Sequence, residues 1–146
     1  MTKLYSYLTY AGALPFVGCA LLLLVNVTSL PLLGETWHVL QVYALVIAAF
    51  MAGSHWGQHL TLPAPWSVRL PVFSNLIAIG LWLGYLLLPI KPWLALSIAA
   101  FLLLLWLDHA LCQQQKITAD YFQTRLTVTA IVVVALLLAL LASPAA

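Results

Sequence analysis

The sequence predicts an all-α fold: a polytopic membrane bundle of five transmembrane helices, N-terminus inside and C-terminus outside. Three observations carry this. Apolar residues make up 65% of the chain and charged residues only 5%, with a mean hydropathy of +1.10. A soluble domain has about 45–50% apolar and about 25% charged residues, because it must cover itself with polar groups; this composition excludes one. The apolar residues also fall in five continuous runs of about 20 residues, the length that crosses a bilayer as a helix. Between the runs stand short breaks with turn chemistry. Outer-membrane strands would instead alternate over about 10 residues, and a helix satisfies its backbone groups within one segment. In 146 residues five spans leave no room for a soluble domain, so 1–146 reads as a single transmembrane domain.

The spans are expected at about 8–29, 38–58, 71–89, 93–113 and 122–142. In the first, Phe16-Val17-Gly18-Cys19 has a faint likeness to a lipoprotein cleavage box. The apolar run continues past it through Val25, however, so neither a lipoprotein nor a cleaved secretory signal is expected. Leu30 to Thr36, with Pro31 and Gly34, separates it from the second span. The third follows a break from His59 to Leu70 that contains Pro63 and Pro65, with Pro71 at its start. Pro89-Ile90-Lys91-Pro92 turns the chain into the fourth, and Gln113 to Asp120 into the fifth. An odd number of spans without an internal repeat argues against an inverted-repeat transporter.

Orientation follows from the basic residues. With the N-terminus inside, Lys3, Arg69, Lys116 and Arg125 lie on the cytoplasmic side and only Lys91 outside, as the positive-inside rule requires. Ser143-Pro144-Ala145-Ala146 is then outside. Trp37, Trp66 and Trp93 are expected at span ends, where amphipathic aromatics sit among headgroups. The net charge of +2 is too small and scattered for nucleic acid. Cys19 and Cys112 form no spaced ligand motif.

The second span carries Ala49, Gly53 and Gly57 at four-residue spacing, a stripe that lets helices pack closely. Ala48, Ala52, His55 and His59 fall on another face, so this helix is expected at the centre of the bundle. Four apart on a helix, the rings of His55 and His59 lie one above the other, a spacing that suits a shared metal, a haem edge or an anionic headgroup. A zinc site would need further ligands, for which His109, Asp108 and Cys112 are the candidates; no metal motif is present, and a hydrogen-bonded interfacial histidine is the plainer reading of His59. Asp108 lies five residues before the end of the fourth span, about 7 Å inside it. An ionised carboxylate at that depth needs a partner. Arg125 is the expected one, since a short hairpin makes spans four and five antiparallel neighbours. The pair either fixes the hairpin or borders a polar pocket with His55. Tyr10, Ser74, Asn75, Thr124, Thr127 and Thr129 gather towards the same side, while the outer halves of spans three to five are almost wholly apolar. A shallow cavity open to the inner leaflet is expected, not a continuous pore. Its candidate residues are His55, Asp108, Arg125, Tyr10 and Asn75.

Tyr10-Ala11-Gly12-Ala13-Leu14-Pro15-Phe16, Gly53-Ser54-His55-Trp56-Gly57, Ser74-Asn75, Asp108 and Tyr121 to Thr127 together resemble a family. It is a domain-of-unknown-function family of small bacterial inner-membrane proteins that includes the mitochondrial transmembrane protein 69 of animals. The resemblance covers nearly the whole chain, and the Gly-x-His-Trp-Gly element is its most specific part. Asp120 departs from it, standing where a tryptophan is expected before the tyrosine. The resemblance implies a multi-pass protein of a bacterial inner membrane, or of the mitochondrial inner membrane, and no defined reaction.

Three functions compete. The first is a non-catalytic factor that binds a lipid, a quinone or a partner subunit, with a second copy of the chain among the candidate partners. The second is a small proton- or ion-coupled transporter, since an unperturbed imidazole titrates at about 6.5; the apolar outer half offers it no relay. The third is a membrane enzyme or haem-binding protein using His55, for which no nucleophile, phosphate loop or cofactor motif speaks. The first is favoured.

Overall fold

The computed structural model describes residues 2–142, with the side chains of residues 2, 3, 5 and 6 left aside. Lys3, as a charge, and the terminal Ser143 to Ala146 therefore lie outside what is described. The described residues form five long helices: α1 (Thr2–Leu24), α2 (Thr36–Gln58), α3 (Trp66–Leu87), α4 (Ile90–Gln113) and α5 (Ala119–Ala142). Each is long and apolar enough to cross a membrane, so the chain is an all-helical, multi-pass membrane protein. Two-residue strands β1 (Ser29–Leu30) and β2 (Gly34–Glu35) pair antiparallel between α1 and α2.

Local chemistry explains where the helices depart from the expected spans. The first was expected to reach residue 29 but stops at Leu24. Asn26 takes a left-handed φ of 65°. The N–H groups of Asn26 and Val27 return to the carbonyls of Leu23 and Leu22, the two bonds of a Schellman cap. Gly34, at φ 97°, closes the hairpin in a conformation that suits glycine. α3 begins at Trp66, five residues before the expected 71, because the carbonyls of Pro63 and Pro65 accept the N–H groups of Trp66 to Arg69. Pro71 is thereby carried inside the helix. α4 begins at Ile90, not 93, with Pro92 in its first turn, where the missing N–H costs nothing. α5 starts at Ala119, not 122, because the Thr118 hydroxyl oxygen accepts the Tyr121 N–H at 3.1 Å, as an N-cap does.

Packing follows chain order. Each helix touches the next, and α1 closes the ring against α5. α2 also touches α4 across the bundle, which gives it the central place expected from sequence. The face that achieves this is Leu40, Ala44, Ala48 and Ala52, all buried; alanines four apart let α2 approach its neighbours closely. The Ala49-Gly53-Gly57 stripe, expected to pack, is exposed instead, and a Cβ added at Gly53 or Gly57 would meet nothing within 4 Å. Two adjacent small-residue faces were available, and the bundle uses the one in register with His55.

The tryptophans mark the span ends as expected, but from inside the protein. Trp37, Trp66 and Trp93 do stand in the first turns of their helices, but all three are buried in protein. Trp66 donates to Gln114 Oε1 at 2.7 Å, and Trp93 donates to the Leu81 carbonyl at 3.1 Å. Burying an indole demands a partner for its N–H, and each of these two has one. Trp56, Trp82 and Trp106 are the exposed set.

Candidate functional site

Three charged or titratable side chains meet inside the bundle, each from a different helix. His55 sits in the last turn of α2, Asp108 five residues before the end of α4, and Arg125 in the second turn of α5. Antiparallel packing of neighbouring helices brings these positions to the same end. Asp108 is 0% exposed, His55 3% and Arg125 6%. Asp108 Oδ2 accepts from Arg125 Nε at 2.9 Å, and its Oδ1 meets His55 Nε2 at 2.9 Å. His55 Nδ1 lies 3.2 Å from the Met51 carbonyl. The predicted Asp108–Arg125 pair is present, and His55 joins it. A carboxylate stripped of water is costly until both oxygens are engaged; here both are.

Beside this triad lies a cavity of about 360 Å³ between α1, α2 and α5, with Phe101 of α4 also lining it. His55 and Arg125 form part of its wall, with Thr9, Ser54, Tyr121 and Thr129. The rest is apolar, including Phe16, Ile47 and Val132. Leu8 and Phe50, at 64% and 75% exposure, mark a rim that faces sideways between α1 and α2. Phe16 is held by edge-on contacts with Tyr43 and Phe101, with ring centroids 5.1 and 5.8 Å away. Tyr43 in turn donates to the Gly12 carbonyl at 2.8 Å, tying α2 to α1 behind the cavity. A cavity with His55 and Arg125 in its wall is therefore present, and the exposed Leu8 and Phe50 stand among its apolar lining.

The structure does not bring every candidate to this place. Tyr10 is 40% exposed and Asn75 is exposed, and neither lines the cavity. Their neighbours face inward instead: Thr9 lines the cavity, and Ser74 is buried. His55 and His59 have separate surroundings, His55 on Asp108 and His59 on Trp56. α2 ends at Gln58, His59 opens a tighter 3-10 turn, and its ring packs on Trp56 while Nδ1 pairs with the Trp56 carbonyl. His109 is exposed against Phe122. Among the described residues no three potential metal ligands converge.

Thr129 was grouped with the polar residues on this side and Tyr121 with the family segment, but neither stood among the candidate site residues. Tyr121, Arg125 and Thr129 follow one another at four-residue spacing on α5, and that periodicity was the available signal. Thr129 is buried, and its Oγ1 has no hydrogen-bond partner. Arg125 spends only its Nε on Asp108 and makes no further hydrogen bond among the described residues.

The comparison with curated proteins and with solved structures found no match. A family model covers residues 1–141, a span that takes in all three members of the triad and every residue lining the cavity. The chain belongs to the family described as protein of unknown function DUF3429.

Proposed function

We propose that this chain is a non-catalytic binding factor of a bacterial inner membrane, holding a lipid-like amphiphile, lipid or quinone, in its lateral cavity. The likeness to mitochondrial transmembrane protein 69 extends the same setting to the mitochondrial inner membrane. One observation carries the reading. The cavity joins an apolar chamber, lined by Phe16, Ile47 and Val132, to a polar wall of His55 and Arg125. Its rim lies on the side of the bundle that apolar chains would bathe. A small-molecule site has this character, mostly apolar with a few placed polar groups. Arg69 and Lys116 stand at the triad's end of the bundle and Lys91 at the other, which supports a cytoplasmic location for the polar wall.

The test is to purify the chain in mild detergent and identify what stays bound by mass spectrometry. His55→Ala leaves the Asp108–Arg125 pair in place and removes only one wall of the cavity. A lipid or quinone retained by the parent chain and lost from His55→Ala is the expected result. No retained species, or one indifferent to His55→Ala, would overturn the proposal.

A further inference from the structure

The donors around the cavity narrow the ligand further, given that the cavity is a binding site as proposed above. His55 Nδ1 faces the Met51 carbonyl and Nε2 faces Asp108 Oδ1. A carbonyl and a carboxylate both accept, and a neutral imidazole has one N–H to give. The observed contacts are both satisfied in two ways. Either His55 carries two protons beside an ionised Asp108, or His55 carries one and Asp108 the other. In each, His55 and Asp108 together are neutral, and Arg125 leaves the cluster with one net positive charge. A net charge inside a membrane protein is costly without a counterion.

The placement of the groups says where that counterion goes. Asp108 is 0% exposed and does not line the cavity. Arg125 and His55 do line it. A ligand entering from the side therefore meets bases, while Asp108 stands behind them with both oxygens occupied; Asp120, the next acid on α5, is exposed and does not line the cavity. Four N–H groups of the Arg125 guanidinium carry no bond among the described residues. One turn further along α5, Thr129 also lines the cavity, and its buried hydroxyl has no hydrogen-bond partner. Tyr121 of α5, Thr9 of α1 and Ser54 of α2 complete the polar lining, and none of them is an acid.

The geometry points to an amphiphile with an anionic oxygen headgroup, a carboxylate or a phosphate on a hydrocarbon chain, as the ligand of this cavity. The oxyanion takes the free guanidinium donors and the Thr129 hydroxyl and neutralises the cluster. The start of one chain fills the space against Phe16, Ile47 and Val132, and the rest leaves past Leu8 and Phe50 into the surrounding apolar phase. A neutral headgroup leaves the net charge uncompensated.

The test uses the full chain in a neutral maltoside detergent and native mass spectrometry. Probes are paired by chain: oleate against oleyl alcohol, and dioleoyl phosphatidylglycerol against dioleoyl phosphatidylcholine. Acetate and inorganic phosphate serve as anions without a chain. The anionic member of at least one pair is expected to bind about ten-fold or more tightly than its neutral partner; the pair that does so names the carboxylate or phosphate source. Thr129→Val, nearly isosteric, is expected to weaken the anion several-fold with the triad intact. The double substitution Asp108→Leu with Arg125→Met is expected to abolish the preference without leaving a lone buried charge. Equal binding within both pairs overturns the anion assignment and leaves the cavity a binding site. Binding of no amphiphile overturns both. Chainless anions binding as tightly, or a preference that survives both variants, also overturns the assignment.

Discussion

Two cavities of nearly equal size lie along α1, one in each half of the bundle. The first, about 360 Å³, holds His55 and Arg125. The second, about 330 Å³, lies between α1 and α5 towards the other end and is lined wholly by apolar residues, among them Val17, Leu21 and Val134. Volume does not separate them; chemistry does. The second is what imperfect packing of two smooth helices leaves, a groove that hydrocarbon fills without selectivity. Polar groups in that half are also of another kind. Thr36 and Ser97 are buried, but their hydroxyls donate to the backbone carbonyls of Val27 and Leu94. The half that was expected to be apolar thus contains polar side chains spent on local structure. In the other half the polar groups bridge α2, α4 and α5 and leave donors over. A site differs from a gap by unspent hydrogen-bonding capacity held in place by spent capacity.

The contrast can be broken from the polar side first. Asp108→Ala strands Arg125 in the interior and is expected to destabilise the chain by about 3–5 kcal/mol, measured by unfolding in mixed micelles. Loss of less than 1 kcal/mol would show that the pair is not a fixed element of the fold. Asp108→Leu with Arg125→Met removes the charges together, and its stability is expected to return to within about 2 kcal/mol of the parent. Smaller effects sharpen the other side. At Gly84, in α3 near its end, a Cβ would come 2.7 Å from Leu96 Cδ2. The end of that side chain can turn away, so Gly84→Ala is expected to cost about 1 kcal/mol. Gly53→Ala, with open space around it, is expected to shift stability by no more than about 0.5–1 kcal/mol, in the favourable direction. Smallest of all, Val134→Thr gives the apolar groove a hydroxyl without a charge. It is expected to leave headgroup preference unchanged in the paired-probe measurement; a new preference there would place the selectivity outside the triad.

Much of this was legible in the sequence, for identifiable reasons. Hydrophobic runs and breaks gave five spans because lipid imposes length and internal hydrogen bonding on each. Asp108 and Arg125 could be paired because an intramembrane acid needs a cation and a short connection puts α4 beside α5. Helix ends were less legible where capping decides them. Asn26 was a usable signal for the early stop of α1, since asparagine tolerates the left-handed conformation. Gln115, which takes φ 60° at the end of α4, was not. Rotation was the least legible quantity. Tyr10 and Asn75 lie one residue from Thr9 and Ser74, and one residue turns a helix by about 100°, enough to exchange a cavity for lipid. The same ambiguity put the glycine stripe inside along with the Ala48-Ala52 face, of which the bundle buries only the second. Arg125 was counted for topology from its sign alone; its burial on Asp108 leaves that argument to Arg69, Lys116 and Lys3.

The division of the six tryptophans into buried Trp37, Trp66 and Trp93 and exposed Trp56, Trp82 and Trp106 gives the molecule two sets of intrinsic reporters. Bromine carried on lipid chains quenches an indole that it can touch. The exposed three would lose emission in brominated bilayers while the buried three kept theirs until the helices separate. Emission that survives the quencher is then a direct optical record of the folded bundle in its own solvent, with no label attached.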